Sequence, residues 1–141
     1  YSIDSNPLNT EIINKLNYIN RINGGEELKS IYKKFHECKW NEDCKINEYF
    51  ILHKKFMDII SENPEGEFDL VDYDAFAPWK QPELWTDLVL KKFYMIMRHG
   101  GILTTYCASG SVKRTLRNIG FEVIVLPGPP GKREMINAIK K

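Results

Sequence analysis

A strand, a stiff loop and a helix follow one another between Phe68 and Met97, and that succession restricts the chain to an α/β fold. Phe68, Leu70, Val71 and Tyr73 form an apolar, β-prone run that carries three aspartates and ends on Asp74. Phe76, Pro78 and Trp79 crowd the turn after that carboxylate. Pro78 and Pro82 stiffen the loop by fixing φ and removing two backbone donors. From Glu83 to Met97 the spacing becomes helical, with Leu84, Leu88, Phe93, Tyr94 and Met97 available to a core. In open α/β sheets ligands bind beyond the carboxyl ends of the strands, which is where Asp74 stands. A rigid loop that holds a carboxylate beside aromatic rings suits chemistry on a small polar group. A strand-terminal Asp that caps the next helix fits the same residues.

The same alternation runs through the rest of the chain. Tyr1-Ser2-Ile3-Asp4 reads as the end of a strand that closes on a carboxylate. Asn6-Pro7 predicts a helix start, with Leu8, Ile12, Ile13, Leu16 and Ile19 facing a core. Asn23-Gly24-Gly25 breaks the chain, and a second amphipathic helix follows from Glu26 to Glu37. Residues 38–48 read as a loop anchored by Trp40, and Tyr49 to Phe56 as a strand running into Met57-Asp58. His99-Gly100-Gly101 marks the end of the helix begun at Glu83, with His99 suited to its dipole. Ile102 to Cys107 predicts a buried strand and Val112 to Ile119 a helix stopped by Gly120. Phe121 to Leu126 and Glu134 to Ile139 complete the strands. Strands alternating with helices predict a mostly parallel sheet with right-handed crossovers. The connection between the last two strands is too short for a crossover, so that pair should be antiparallel. No Gly-x-Gly-x-x-Gly turn follows a strand, and no repeat or second domain is visible.

Composition narrows the class. The 141 residues, 43% hydrophobic and 28% charged, suit one soluble globular domain. No run of about 18 apolar residues exists and the start does not resemble a signal peptide, so a cytoplasmic protein without a membrane span is expected. Cys38, Cys44 and Cys107 are odd in number and lack zinc-type spacing, which predicts reduced thiols. His36, His53 and His99 stand in unrelated contexts and make no metal set. The net charge is +1, but from Ser111 to Lys141 seven basic residues stand against Glu122 and Glu134, a local net charge of +5. Such an end suits a polyanionic partner or a solvated charged face. Asp4 is placed either to bind ribose hydroxyls or to cap the next helix. Met57-Asp58 can hold an adenine by its face and amino group, or serve as a core Met and a capping Asp.

Three blocks in order carry a family resemblance. They are Asp74-Ala75-Phe76-Ala77-Pro78 with Pro82-Glu83-Leu84-Trp85-Thr86, then Gly100-Gly101-Ile102-Leu103-Thr104-Thr105-Tyr106-Cys107-Ala108, then Gly128-Pro129-Pro130-Gly131-Lys132-Arg133-Glu134-Met135. With them the chain resembles the bacterial tRNA 5-methylaminomethyl-2-thiouridine methyltransferases of the MnmC/MnmD type. These occur alone or as the N-terminal half of a bifunctional wobble-uridine enzyme whose other half is a flavin oxidase. The resemblance covers essentially the whole chain and is specific from residue 68 onward.

It implies a Rossmann-like class I fold of seven strands with the last antiparallel, S-adenosyl-L-methionine as methyl donor, and the tRNA anticodon region as substrate. Carried over by position, Asp4 binds the donor's ribose, Met57 and Asp58 its adenine, and Asp74 the amine to be methylated. Phe76, Pro78 and Trp79 wall the substrate side, while Lys80, Lys113, Arg114, Lys132 and Arg133 face phosphates. The family's first strand and glycine-rich turn should precede Tyr1. The resemblance therefore implies an N-terminally incomplete methyltransferase domain, poorly folded and weak in donor binding by itself, that works with a flavin-dependent oxidase. A nucleotide-dependent oxidoreductase on a Rossmann-type sheet, and a noncatalytic fragment, are the competing readings.

Overall fold

The first strand, β1 (Ser2–Asp4), ends on a carboxylate that turns the chain, because Asp4 Oδ1 accepts the Asn6 N–H at 2.8 Å. Asn6 is thereby engaged before any helix begins. The cap moves to Asn9, whose Oδ1 accepts the Ile12 N–H at 2.9 Å and opens α1 (Thr10–Lys15). The start expected at Asn6-Pro7 is displaced for that reason. The expected core face of this helix does not form either: Leu8 and Ile12 are exposed, and Ile13, Leu16 and Ile19 are half-buried. This computed structural model describes residues 1–22 and 25–141, so the chain break expected at Asn23 and Gly24 lies outside the described residues. The chain divides into two compact units, Tyr1–Asp58 and Ile59–Lys141.

In the first unit, α2 (Gly25–Glu37) agrees with its sequence pattern. The Lys54 ammonium bonds the Phe35 and His36 carbonyls at its C-terminal end, where the helix dipole favours a cation. Residues 38–48 are not simply a loop. They contain β2 (Asp43–Lys45), which pairs antiparallel with β3 (Ile51–Phe56), Cys44 standing opposite Leu52. Trp40 bridges to Lys54, whose ammonium lies 5.2 Å from the indole centroid. Asn41, at φ 63°, turns the chain back between α2 and β2. That turn brings Cys38 and Cys44 to a Cα separation of 5.8 Å, and they form a disulfide. The expectation of three reduced thiols is overturned for this pair, whereas Cys107 is free and buried. The sheet order is β1-β3-β2, with β1 and β3 parallel and Asp4 opposite Phe56.

In the second unit, β4 (Phe68–Asp72) leads through the proline loop to a 3₁₀ turn at Pro82–Trp85 and then to α3 (Asp87–Ile96). The single helix expected from Glu83 to Met97 is interrupted at Thr86, which is extended and caps α3 by accepting the Val89 N–H. The interruption resets the helical phase. Leu88, expected inside, is 78% exposed, while Trp85, Val89, Leu90 and Phe93 are buried. His99-Gly100-Gly101 is likewise not a helix end, because Met97 already begins β5 (Met97–Thr105) and His99 has no helix terminus to serve.

The chain continues through α4 (Gly110–Ile119), β6 (Phe121–Pro127) and β7 (Glu134–Lys140). Gly120, at φ 119°, is the left-handed cap of α4. The sheet order is β4-β5-β7-β6: β4 and β5 are parallel, and β7 runs antiparallel to both its neighbours. Leu90, Leu103, Thr105, Leu116 and Ile136 are fully buried between this sheet and its helices. Both units are therefore α/β with mixed sheets, and the antiparallel last strand read from the short 127–133 connection is present. No helix among the described residues is long and apolar enough to cross a membrane.

Candidate active site

Alternation along an extended chain turns Tyr73 inward and Asp74 outward. The Tyr73 N–H continues the β4 ladder to Thr104 O at 2.8 Å, and its ring packs edge-on against Trp85 and Phe93 at centroid distances of 5.1 and 5.0 Å. Its hydroxyl donates to Leu84 O, and burial pushes that phenol well above its usual pKa. Asp74 is exposed immediately beyond this anchor.

The three carbonyls after Asp74 are each held. Tyr106 donates its hydroxyl to Ala75 O at 2.9 Å, and Trp85 Nε1 donates to Phe76 O at 2.7 Å. Ala77 O accepts the Lys80 N–H at 2.7 Å and the Gln81 N–H at 3.1 Å. With its backbone bound, the loop presents side chains to solvent: Phe76 is 72% exposed and Trp79 80%. Pro78 between them is half-buried, and Lys80 is exposed. The result is a carboxylate with two open aromatic faces on a loop that cannot easily move.

The basic loop between β6 and β7 is also shaped by its backbone. Lys132 N–H bonds Pro129 O at 2.8 Å, and Gly128 N–H bonds Arg133 O at 3.2 Å. A Cβ on Gly128 would lie 2.5 Å from Lys132 O, so only glycine permits this closure. The loop brings Lys132 Nζ to 4.0 Å from the centroid of the Tyr106 ring. Tyr106, Ala108, Lys132, Arg133 and Glu134 line a concavity of about 400 Å³. Lys113, expected to face phosphates, is instead half-buried with its ammonium 3.4 Å from Glu134 Oε2, while Arg114 is exposed.

In the first unit the parallel pairing of β1 and β3 sets Asp4 and Met57-Asp58 at the same strand ends, and Met57 N–H bonds Asp4 O at 3.1 Å. The Asn6 N–H fixes one Asp4 oxygen in an exposed carboxylate. Asp58 is exposed and Met57 is buried. Carboxylates at the ends of paired parallel strands can accept from a ribose diol and from an exocyclic amine. Of the residues singled out by sequence, Asp4, Met57 and Asp58 are thus brought together on one sheet, and Asp74, Phe76, Pro78, Trp79 and Lys80 on one loop of the other. Lys132 and Arg133 share a concavity with Tyr106, which sequence reasoning passed over. Its place within the run Ile102 to Cys107, read as a buried strand, was the available signal, and the structure ends that strand at Thr105.

The match to a family model covers residues 24–141, and the family is described as S-adenosyl-L-methionine-dependent methyltransferase. The "tRNA 5-methylaminomethyl-2-thiouridine biosynthesis bifunctional protein MnmC" of Campylobacter hominis is 30% identical over 141 residues, 97% of this chain and 20% of its own length. The protein of the same name from Ralstonia nicotianae is 47% identical over 62 residues, 44% of this chain and 9% of its own. Among solved structures, MNMC2 from Aquifex aeolicus is similar with a TM-score of 0.56 and 31% identity, over 64% of this chain and 30% of that one. The chain therefore spans about a fifth of the length of the first of these relatives. With most of its length inside the family match, and with the α/β fold of a similar solved structure, the chain belongs to the S-adenosyl-L-methionine-dependent methyltransferases.

Proposed function

We propose that this chain carries the site that methylates the aminomethyl nitrogen of the wobble uridine in tRNA, turning 5-aminomethyl-2-thiouridine into 5-methylaminomethyl-2-thiouridine. The observation that carries this reading is the Asp74 loop, an outward carboxylate on a bound backbone flanked by the exposed Phe76 and Trp79. The relatives' names, which specify biosynthesis of that nucleoside, support it.

When bound, S-adenosyl-L-methionine supplies a methyl group activated by its sulfonium. The exposed carboxylates of Asp4 and Asp58 fit its ribose hydroxyls and adenine amino group, and Met57 adds the little apolar surface it leaves open. An alkylamine has a pKa of about 10, so only about one molecule in a thousand is neutral at pH 7. Asp74 accepts a hydrogen bond from that amine, aims its lone pair, and favours the positive charge that builds on nitrogen. Phe76 and Trp79 offer faces to unstacked bases, with Pro78 stiffening the turn between them. Lys80, Lys132 and Arg133 meet phosphates of the anticodon arm. A flavin-dependent oxidase that frees the amine is the matching partner, and a tRNA substrate puts the reaction in the cytoplasm.

Asp74→Ala in the full-length protein tests the reading. Methyl transfer to aminomethyl-uridine tRNA should fall by about 10² to 10⁴, mostly in kcat, with donor affinity by calorimetry largely kept. Loss of donor binding with a surviving substrate-saturated kcat would make Asp74 a cofactor ligand instead.

A further inference from the structure

Asp74 is the residue of its loop that meets the reacting amine, and the hydrogen bonds on either side of it come from residues with no assigned task. Before it, Tyr73 N–H is bound to Thr104 O; after it, Ala75 O receives the Tyr106 hydroxyl at 2.9 Å. Consecutive Cα atoms are about 3.8 Å apart, so these two anchors leave the Asp74 backbone little room to turn. Tyr106 itself is held from two other directions. Its ring stands edge-on to Trp85 at 6.4 Å, and Lys132 Nζ covers its face at 4.0 Å. An ammonium within about 6 Å of a ring centroid is attracted by the ring quadrupole.

From this geometry we infer that Tyr106 is a positioning residue for the Asp74 carboxylate, and that Lys132 registers the basic loop to that carboxylate through the Tyr106 ring. The inference rests on the methyl-transfer reading above and deepens it. A phosphate drawn to Lys132 then acts on the same ring that orients Asp74, so contact with the RNA backbone and alignment of the amine acceptor are linked by one side chain. A phenol is protonated across the neutral range and so donates to Ala75 O there, and burial, with the neighbouring Cys107 and Asp74, pushes the Tyr106 phenol further up. Lys132 is exposed and sits on a loop closed by Gly128, so it can meet a phosphate without unfolding the sheet.

The test uses the full-length protein with tRNA bearing the aminomethyl group, read at saturating tRNA in single turnover. Tyr106→Phe keeps the ring under Lys132 and removes only the hydroxyl. It should slow transfer by about five- to tenfold, the value of one ordinary hydrogen bond, while tRNA and donor affinities hold. Hydrogen exchange in peptides covering residues 74–77 should quicken in the same variant. Lys132→Ala should slow transfer even at saturating tRNA, and Lys132→Arg should recover that rate, because a guanidinium also stacks on a ring. Asp74→Ala runs alongside. If it is inactive while Tyr106→Phe matches wild type in rate and exchange, the positioning role is overturned and the methyl-transfer reading stands. If wild type transfers no methyl group, or Asp74→Ala transfers it as well as wild type does, that reading falls and the inference falls with it. If Lys132→Ala loses only tRNA affinity, the link through the ring is wrong.

Discussion

Trp85→Phe is the substitution whose cost can be worked most directly from the structure. Trp85 is 7% exposed, its ring meets the Tyr73 edge at 5.1 Å, and its Nε1–H is bonded to Phe76 O at 2.7 Å. Phenylalanine keeps an aromatic body but leaves a part-buried carbonyl without its donor, which costs about 1–3 kcal/mol. The smaller ring adds about 1–2 kcal/mol of lost packing, less than the roughly 3–5 of truncation to alanine. With a urea slope of about 2 kcal/mol/M, the midpoint should fall by about 1–2.5 M with the slope unchanged. Far-UV circular dichroism of the full-length protein measures this, with Leu88→Ala as a surface control because Leu88 is 78% exposed. Because the lost bond also releases the Phe76 carbonyl, methyl transfer should slow more than donor binding weakens. If Trp85→Phe were no less stable than Leu88→Ala, the hydrogen bond and the packing assigned to Trp85 would both be wrong.

Replacing Lys132 and Arg133 together with alanine should weaken tRNA binding and flatten the slope of log K against log salt by up to about two; an unchanged slope returns both to a solvated surface. Tyr73 is raised above its unfolded pKa by burial, so below about pH 10 its contribution to stability is complete. Above that pH the unfolded phenol ionises first and stability falls toward the folded pKa. Tyr73→Phe should be less stable at pH 7 but should lack part of this alkaline decline, as urea midpoints at pH 8 and pH 11 would reveal. Reducing the Cys38–Cys44 disulfide, which closes a loop of sequence separation 6, should destabilise the first unit by about 2 kcal/mol, measured by hydrogen exchange at β2 and β3 with and without a dithiol. No change in their protection would show that the bridge contributes nothing there.

Local patterns carried much of the fold. The 2-residue and 3.6-residue periods located β3, β4, β6, β7, α2 and α4, because each period belongs to the local geometry of a regular element and needs no distant partner to be read. Gly120 ended α4 as its chemistry requires, and the short 127–133 connection allowed only an antiparallel return. The same local signals failed where a residue had a competing partner. Asp4 took the Asn6 N–H and moved the first cap to Asn9, and Thr86 interrupted a helical pattern that periodicity alone would have continued.

The candidate site divides along the same line. Asp74, Phe76 and Trp79 were legible from sequence, because a carboxylate at a strand end followed by prolines and aromatics is a local arrangement. Asp4 and Asp58 were legible individually as strand-terminal carboxylates, but only the parallel register of β1 on β3 brought them to one place. The disulfide required the Asn41 turn, and the pairing of Lys113 with Glu134 required α4 to pack on β6, the sheet neighbour of β7. Tyr106 is the clearest case. Its hydroxyl meets a carbonyl 31 residues earlier and its ring meets a lysine on a loop two elements later, contacts without a sequence period. The sequence by itself determined which residues are acidic, aromatic and outward-facing at this site. Tertiary structure alone decided what holds them still, because those hydrogen bonds join strands and loops that become neighbours only when the sheet closes.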